Sequence, residues 1–205
     1  DFPGLKVKDL CGLPWRVAFA LQTDGWWLRS DIIWHKPNPM PESVTDRPTK
    51  AHEYIFLLAK SERYYYDAEA IAERAMNPNG AHVTTAKSFG TQAAGAAVQP
   101  TGNQVPGKEW GWGETRNRRS VWTVATQPYP EAHFATFPPD LINPCVLAGA
   151  RPGDTVLDPF AGAATTLYVA KELNRASVGV ELNEAYCALA VKRLRQEVLP
   201  FSGGG

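Results

Sequence analysis

The sequence lacks the cysteine patterns that mark disulfide-rich and zinc-binding proteins. Its three cysteines, Cys11, Cys145 and Cys187, are far apart and form no C-x-x-C pair. A disulfide framework or a structural zinc site requires several cysteines at short, regular spacings. We therefore expect reduced thiols and no metal site.

Long apolar runs and a targeting segment are also missing. No run approaches the roughly 20 apolar residues that span a bilayer. The chain does not open on the charged, apolar and small-residue series of a signal peptide either. We expect a soluble, cytoplasmic protein with no membrane partner. Its 205 residues, 44% of them hydrophobic, are enough for one compact α/β domain or most of one.

An excess of positive charge is absent as well, because 21 Lys and Arg balance 21 Asp and Glu. A neutral chain at first sight disfavours a nucleic-acid partner. The distribution of the cations offsets this argument, since Lys108, Arg116, Arg118 and Arg119 cluster among tryptophans. Cations beside aromatic rings can contact phosphates and bases. Composition supports a DNA contact and an ordinary solvated loop with buried tryptophans about equally.

What the sequence does contain is a strand, a small-residue turn, a helix and a second strand that ends in an acid. Residues 158–166 read DPFAGAATT, and residues 178–181 read VGVE. Small residues let a ligand approach the backbone, and the start of the helix offers free N–H groups. A carboxylate can accept hydrogen bonds from both hydroxyls of a ribose. These features predict a ribose-bearing cofactor. The single glycine in the turn disfavours a dinucleotide.

Hydrophobic periodicity predicts the surrounding elements. A helix is expected over residues 8–23, and strands near residues 28–34 and 54–58. A β-α-β-α unit with parallel strands follows between residues 155 and 194. The Gly-, Ala-, Gln- and Thr-rich residues 88–107 can form little core.

The DPFAGAATT segment resembles the DPF-x-G-x-G-TT signature of the amino-methyltransferases of DNA, the cytosine-N4 and adenine-N6 family. Other segments are similar to that family in the family's own order. Residues 31–41 and 52–58 resemble the strand, loop and strand that end its catalytic half, and residues 137–144 resemble its motif X. The resemblance implies S-adenosylmethionine as cofactor. It also implies an α/β, Rossmann-like methyltransferase fold, here a partial and mostly parallel sheet flanked by helices, with its last strands antiparallel.

The same order of segments implies three parts of the chain. Residues 1–71 would be the C-terminal part of the catalytic half, and residues 72–130 a partly flexible target-recognition region. Residues 131–205 would form the cofactor-binding half. With central strands missing, we expect an exposed sheet edge and a tendency to aggregate.

The resemblance also assigns site residues. The cofactor-binding residues would be Asp158, Pro159, Phe160, Gly162, Thr165, Thr166, Glu181, Asp140 and Leu141. Lys36 and Asn38 belong to a loop that approaches DNA in the family, and they join the basic cluster as DNA-binding residues. Ala164 replaces the usual glycine, and we expect it to keep a helical conformation. Helix capping is the alternative role for Thr165, Thr166 and Asp140.

The family's catalytic tetrapeptide, Asp/Asn/Ser-Pro-Pro-aromatic, does not occur in the chain. The only Pro-Pro pair is Pro138-Pro139, which belongs to the segment that resembles motif X. Residue 1 is Asp rather than Met. We therefore expect a fragment of a longer protein, with its catalytic residues unknown, that is inactive alone or depends on a partner segment.

The resemblance implies a site-specific methyltransferase that acts on double-stranded DNA. Its target would be an exocyclic amine of a flipped base, adenine N6 or cytosine N4. A methyltransferase of RNA or of a small molecule stays open, as does a DNA-binding remnant without activity. A homodimer and a companion restriction enzyme are also left open. Pro144-Cys145 is similar to the nucleophile pair of enzymes that methylate cytosine at carbon 5, but its apolar surroundings favour core packing.

Overall fold

The computed structural model describes residues 4–75, 114–127 and 136–195, so Lys108 and residues 88–107 lie outside the described part. The elements in chain order are α1 (Leu13–Thr23), β1 (Trp27–His35), β2 (His52–Ala59), β3 (Glu73–Arg74), β4 (Thr115–Arg116), β5 (Val121–Thr123), α2 (Pro139–Gly149), β6 (Thr155–Asp158), α3 (Thr165–Glu172), β7 (Ala176–Gly179) and α4 (Glu184–Arg195). None of the helices in these ranges is long and apolar enough to cross a bilayer.

The first sheet has the strand order β2-β1-β5. The strands β1 and β2 are antiparallel, whereas β5 runs parallel to β1 and places Trp122 opposite Trp34. Both tryptophans are buried with Leu141 of α2 in one core cluster. The indole N–H of Trp34 donates to the carbonyl of Val124 at 2.8 Å. Residues 121–123 are therefore part of this sheet, although they fall inside the predicted interval 72–130.

Helix α1 begins five residues later than predicted. Gly12 precedes it with φ 62°, in the left-handed region that favours glycine, and Pro14 stands in the first turn. Leu10, which the periodic pattern included in the helix, is 86% exposed. The helix contacts β2 through Trp15, whose ring lies edge-on to the rings of Tyr54 and Phe56.

The predicted β-α-β-α unit is confirmed as β6, α3, β7 and α4. Strands β6 and β7 are parallel, with Leu157 opposite Val178. The turn and α3 pack through a buried cluster of Ala161, Ala164 and Leu167, two of which are small side chains. Ala190 and Leu194 of α4 pack against that cluster.

Among the described residues, the strand pairings are two parallel and two antiparallel, since β3 and β4 form a further antiparallel pair. Within that part of the chain, β6 pairs on one side only. Leu157 and Val178 are 63% and 51% exposed. The expected open sheet edge is therefore present, and apolar side chains lie beside it.

Candidate functional site

The turn after β6 is held in shape by strand ends and by the carboxylate of Asp158. The Oδ1 atom of Asp158 accepts a hydrogen bond from the N–H of Phe160 at 3.0 Å. Its carbonyl accepts from the N–H of Val180, and the carbonyl of Val180 accepts from the N–H of Ala161, both at 2.9 Å. The small-residue turn is thus fastened to the end of β7.

Glu181, the acid predicted at the end of the second strand, is hydrogen-bonded to the predicted turn. Its Oε2 atom accepts from the N–H of Gly162 at 2.8 Å, and its Oε1 atom accepts from the N–H of Asn183 at 2.8 Å. These backbone hydrogen bonds, with Asn183 contributing most, lower the pKa of Glu181. The carboxylate is therefore ionised at neutral pH. Each of its oxygens keeps a further lone pair that can accept from a ribose hydroxyl.

Gly162 leaves free space beside that carboxylate. Its φ of 51° lies in the left-handed region. No atom would lie within 4 Å of a Cβ at this position. Phe160 stands in the same turn with 88% of its surface exposed. Open backbone, an ionised acid and a bare aromatic ring suit a cationic ligand that carries a ribose.

The prediction that Ala164 keeps a helical conformation is wrong. Its φ of 60° and ψ of 36° are left-handed, and it occupies the N-cap position of α3. The chain must reverse from the turn into the helix within this residue, which is why the family pattern has glycine there. The methyl group is fully buried in the cluster with Ala161 and Leu167, so packing compensates part of the backbone strain.

The two threonines of the motif differ in their surroundings. Thr165 is 6% exposed, and its Oγ1 atom accepts a hydrogen bond from Arg193 Nη1 at 3.0 Å. Thr166 is half-buried in the first turn of α3. The structure therefore turns the Thr165 hydroxyl toward α4, and cofactor contacts by the two residues stay predictions.

Motif X forms the start of α2. Asp140 is exposed in its first turn, where Pro138 rather than Asp140 is the N-cap. Leu141 is 4% exposed and packs between Trp34 and Trp122. The Leu141 side chain thus belongs to the core, and Asp140 is the group in this motif that a ligand can reach.

The basic cluster is organised around one acid. Glu73 Oε1 accepts from Arg116 Nε at 2.8 Å and from Arg119 Nε at 2.6 Å. Burial alone would raise the pKa of Glu73, but the hydrogen bonds and charges of Arg119 and Arg116 outweigh burial and lower it. The Arg118 guanidinium lies 4.8 Å from the Trp122 ring centroid. Within the described part of the chain, Arg116 Nη2 and Arg118 Nε are buried without a hydrogen-bond partner.

Lys36 and Asn38 hold the loop after β1 in place. The Lys36 ammonium pairs with Glu53 and lies 4.4 Å from the Trp34 ring centroid. Asn38 Nδ2 donates to the carbonyl of Thr126 at 3.3 Å, and Asn38 Oδ1 accepts from the N–H of Thr126 at 2.9 Å. Both side chains already have partners in the protein, and their contact with DNA stays a prediction.

Cys145 has the surroundings of a packing residue. It packs against the core cluster of Trp34, Trp122 and Leu141, and its thiol donates to the carbonyl of Leu141 at 3.6 Å. Burial raises the pKa of Cys145 to about 11. A thiol of this kind is protonated at neutral pH and is a poor nucleophile, which supports the core interpretation.

The sequence reasoning missed Arg193 of α4. Its Nη1 atom donates to the carbonyl of Ala163 at 3.1 Å as well as to Thr165. An arginine near the end of an amphipathic helix normally indicates a solvated face, so the sequence carries no signal for this contact. The Asn38–Thr126 bridge was missed for a similar reason, since 88 residues separate its partners.

Comparisons with known proteins show which family the chain is similar to. The family model N6_N4_Mtase, described as DNA methylase, matches residues 5–192. The Type II methyltransferase M.SmaI of Serratia marcescens is 50% identical over 191 residues, which cover 93% of this chain and 54% of M.SmaI.

Two solved structures show the same fold. The structure of the M1.HpyAVI–SAM complex has a TM-score of 0.60 at 20% identity and covers 92% of this chain and 72% of that one. The PvuII DNA methyltransferase (cytosine-N4-specific) has a TM-score of 0.62 at 16% identity, with 91% and 58% covered. The expected α/β, Rossmann-like methyltransferase fold is thereby confirmed.

The chain spans about half the length of the curated relative it matches. The family model, in contrast, covers nearly all of the chain. M.SmaI shares half of the matched residues, and the turn that carried the resemblance is hydrogen-bonded to the acid after the second strand. The chain belongs to the family of N6- and N4-directed DNA methylases.

Proposed function

We propose that this chain carries the cofactor-binding half, and the end of the catalytic half, of a site-specific DNA methyltransferase. The observation that carries the proposal is the hydrogen bond from the N–H of Gly162 to Glu181. It brings an open small-residue turn and an ionised acid together at the ends of two parallel strands, where α/β proteins bind nucleotides. The relatedness to Type II methyltransferases such as M.SmaI supports the reaction class.

S-adenosylmethionine is the cofactor that this site suits. Glu181 would accept from the ribose hydroxyls, Gly162 would provide room, and Asp158 and Phe160 would line the methionine side. Further contacts would come from Pro159, Thr166 and Asp140, whereas Thr165 and Leu141 are buried and would support the site from behind. When bound, this cofactor supplies an electrophilic methyl group. The residues of this chain bind and orient, because the tetrapeptide that would hold the target amine is not among them.

Double-stranded DNA is the partner we propose, with an exocyclic amine of adenine or cytosine as target and the cytoplasm as location. Residues 72–130 would form the target-recognition region between residues 1–71 and 131–205. Of the two arginines that bind Glu73, Arg119 has the more open side chain, 65% exposed against 37% for Arg116. Arg118, Lys108, Lys36 and Asn38 would contribute further contacts to phosphates, which position DNA without reading its sequence.

Calorimetric titration of the 205-residue chain with S-adenosylmethionine tests the proposal. We expect binding by the unaltered chain, and about tenfold weaker binding after Glu181→Gln, because a charged acceptor of hydrogen bonds is replaced by a neutral one. Glu184→Gln is the matched control, since Glu184 is an exposed acid three residues away. Absence of binding by the unaltered chain, or equal binding by Glu181→Gln, would contradict the assignment.

A further inference from the structure

The turn that forms the candidate cofactor site is held from two sides by opposite charges. On one side the carboxylate of Glu181 accepts from the N–H of Gly162. On the other side Arg193 Nη1 donates to the carbonyl of Ala163 at 3.1 Å and to the hydroxyl oxygen of Thr165 at 3.0 Å. An acid binds the N–H that opens the turn, and a cation binds the carbonyl and hydroxyl that close it.

We infer that Arg193 is a positioning residue that fixes the cofactor turn, an inference that rests on the proposed function. Between its two acceptors lies Ala164, whose left-handed conformation is unfavourable for a residue with a Cβ. Strained backbone of this kind persists only where the surroundings over-determine it. The bonds of Arg193 to both neighbours of Ala164 supply that constraint.

Apolar packing of α4 against the turn does not supply this constraint on Ala164 alone. The apolar contact of α4 with the turn consists of Ala190 and Leu194 against the cluster of Ala161, Ala164 and Leu167, and several of these side chains are single methyl groups. A methyl group makes few contacts and none of them is directional, so these contacts constrain the backbone of the turn less than hydrogen bonds do. The Nη1 atom of Arg193, in contrast, donates directional hydrogen bonds to two atoms of the turn.

The guanidinium is itself pre-oriented. Its central carbon lies 4.9 Å from the ring centroid of Tyr168, which is one helical turn after Thr165 in α3. The Tyr168 ring limits the rotamers of Arg193, and fixed rotamers lower the entropy lost on forming the two hydrogen bonds. An ammonium group has no planar face to lie over the Tyr168 ring, so lysine would reproduce only part of this arrangement.

Two variants and a control test the inference in the 205-residue chain. Arg193→Ala is expected to weaken S-adenosylmethionine binding about tenfold in calorimetry, from the loss of charge-assisted hydrogen bonds. Arg193→Lys should fall between Arg193→Ala and the unaltered chain. Arg195→Ala removes an exposed charge from the same helix and should leave the affinity unchanged. Titrations are made well below the unfolding midpoint of each variant, so that a loss of stability alone leaves affinity intact.

Hydrogen exchange without any ligand separates this inference from the proposed function. Arg193→Ala should speed exchange at the amides of residues 161–165 by at least about tenfold, with little change in β1 and β2, if opening of the turn is what the contact prevents. Faster exchange supports the inference even if the unaltered chain binds no S-adenosylmethionine. Such an absence of binding would contradict the proposed function only. Unchanged exchange in the turn would overturn the inference. Where the unaltered chain binds S-adenosylmethionine, an affinity of Arg193→Ala within twofold of it would overturn the inference as well.

Discussion

At the scale of single residues, Gly179 decides how closely β7 approaches α3. A Cβ on Gly179 would stand 2.7 Å from Leu167 Cδ2 and 2.9 Å from the Cβ of Ala161. Because both neighbours are buried, Gly179→Ala should lower the free energy of unfolding by about 1–3 kcal/mol in urea titrations. Gly149→Ala is the control, since nothing lies within 4 Å of that position. Equal stability of the two variants would contradict the prediction.

The thiols should differ in reactivity according to their burial. With a pKa near 11, only about one Cys145 in a thousand is a thiolate at pH 8. Cys11 is exposed. Iodoacetamide at pH 8, followed by mass spectrometry of peptides, should label Cys11 rapidly and Cys145 only after unfolding in urea. Rapid labelling of Cys145 in the folded chain would reopen a nucleophilic role for it.

The carboxylate of Glu181 should also contribute to the pH dependence of stability. Its folded pKa lies below the ordinary value of 4.5 because it accepts the N–H groups of Asn183 and Gly162. A lowered pKa means that the stabilisation is present above pH 4.5 and is lost as the pH falls through the folded pKa. Urea titrations should show Glu181→Gln less stable than the unaltered chain at pH 7, with a smaller difference near pH 3. A pH-independent difference would contradict this.

Residues differ in how far the sequence could reveal their roles. That Gly162 and Glu181 lie at neighbouring strand ends could be predicted, because each follows a strand of one parallel β-α-β unit. The left-handed φ of Ala164 and the contact of Arg193 could not, since both depend on how α4 packs against the turn. Local pattern determines which residues share an edge of a sheet, whereas tertiary packing determines what each side chain then touches.

At the scale of elements, strong hydrophobic periodicity predicted the helices and strands reliably. The unit from β6 to α4 repeats apolar residues at strand and helix spacing, and it formed as predicted. Strand β5 has three residues and follows a stretch of mixed composition, so nothing local distinguishes it from a loop. It forms because Trp122 packs beside Trp34. Such a contact between distant segments is invisible to periodicity.

The pair of strands β3 and β4 offers a test of the proposed DNA contact. Both Arg116 and Arg119 bind Glu73, but Arg119 is the more exposed. Arg119→Ala should weaken DNA binding without sequence preference and reduce the slope of log affinity against log salt by about one. Fluorescence anisotropy across a salt series measures this, with Arg195→Ala as the control. An unchanged slope would remove Arg119 from the interface.

At the scale of the whole molecule, the described residues form two main sheets that each have an open edge. Among these residues β2 pairs only with β1, and β6 pairs only with β7. Leu157, Val178 and Val180 remain more than half exposed beside the second edge. M.SmaI is nearly twice as long as the segment that this chain matches. Length, open edges and bare apolar surface agree with the predicted partial sheet.

The chain lacks the tetrapeptide that carries the catalytic group in the family signature. A methyl transfer to an exocyclic amine needs a group that accepts hydrogen bonds from the amine and sharpens its lone pair. In the family signature this group belongs to the Pro-Pro tetrapeptide, which does not occur in the 205 residues; their only Pro-Pro pair is Pro138-Pro139. The residue before that pair is Phe137, whose apolar ring cannot accept a hydrogen bond from an amine as Asp, Asn or Ser would.

We therefore expect the 205-residue chain alone to transfer no methyl groups to DNA. The assay is incorporation of radioactive methyl from S-adenosylmethionine into duplex DNA, with M.SmaI as the positive control. Adding the part of M.SmaI that this chain does not match, as a separate polypeptide, should restore transfer if its strands fill the open edges of β2 and β6. Robust turnover by the chain alone would contradict the prediction, because positioning without the tetrapeptide would then suffice for catalysis.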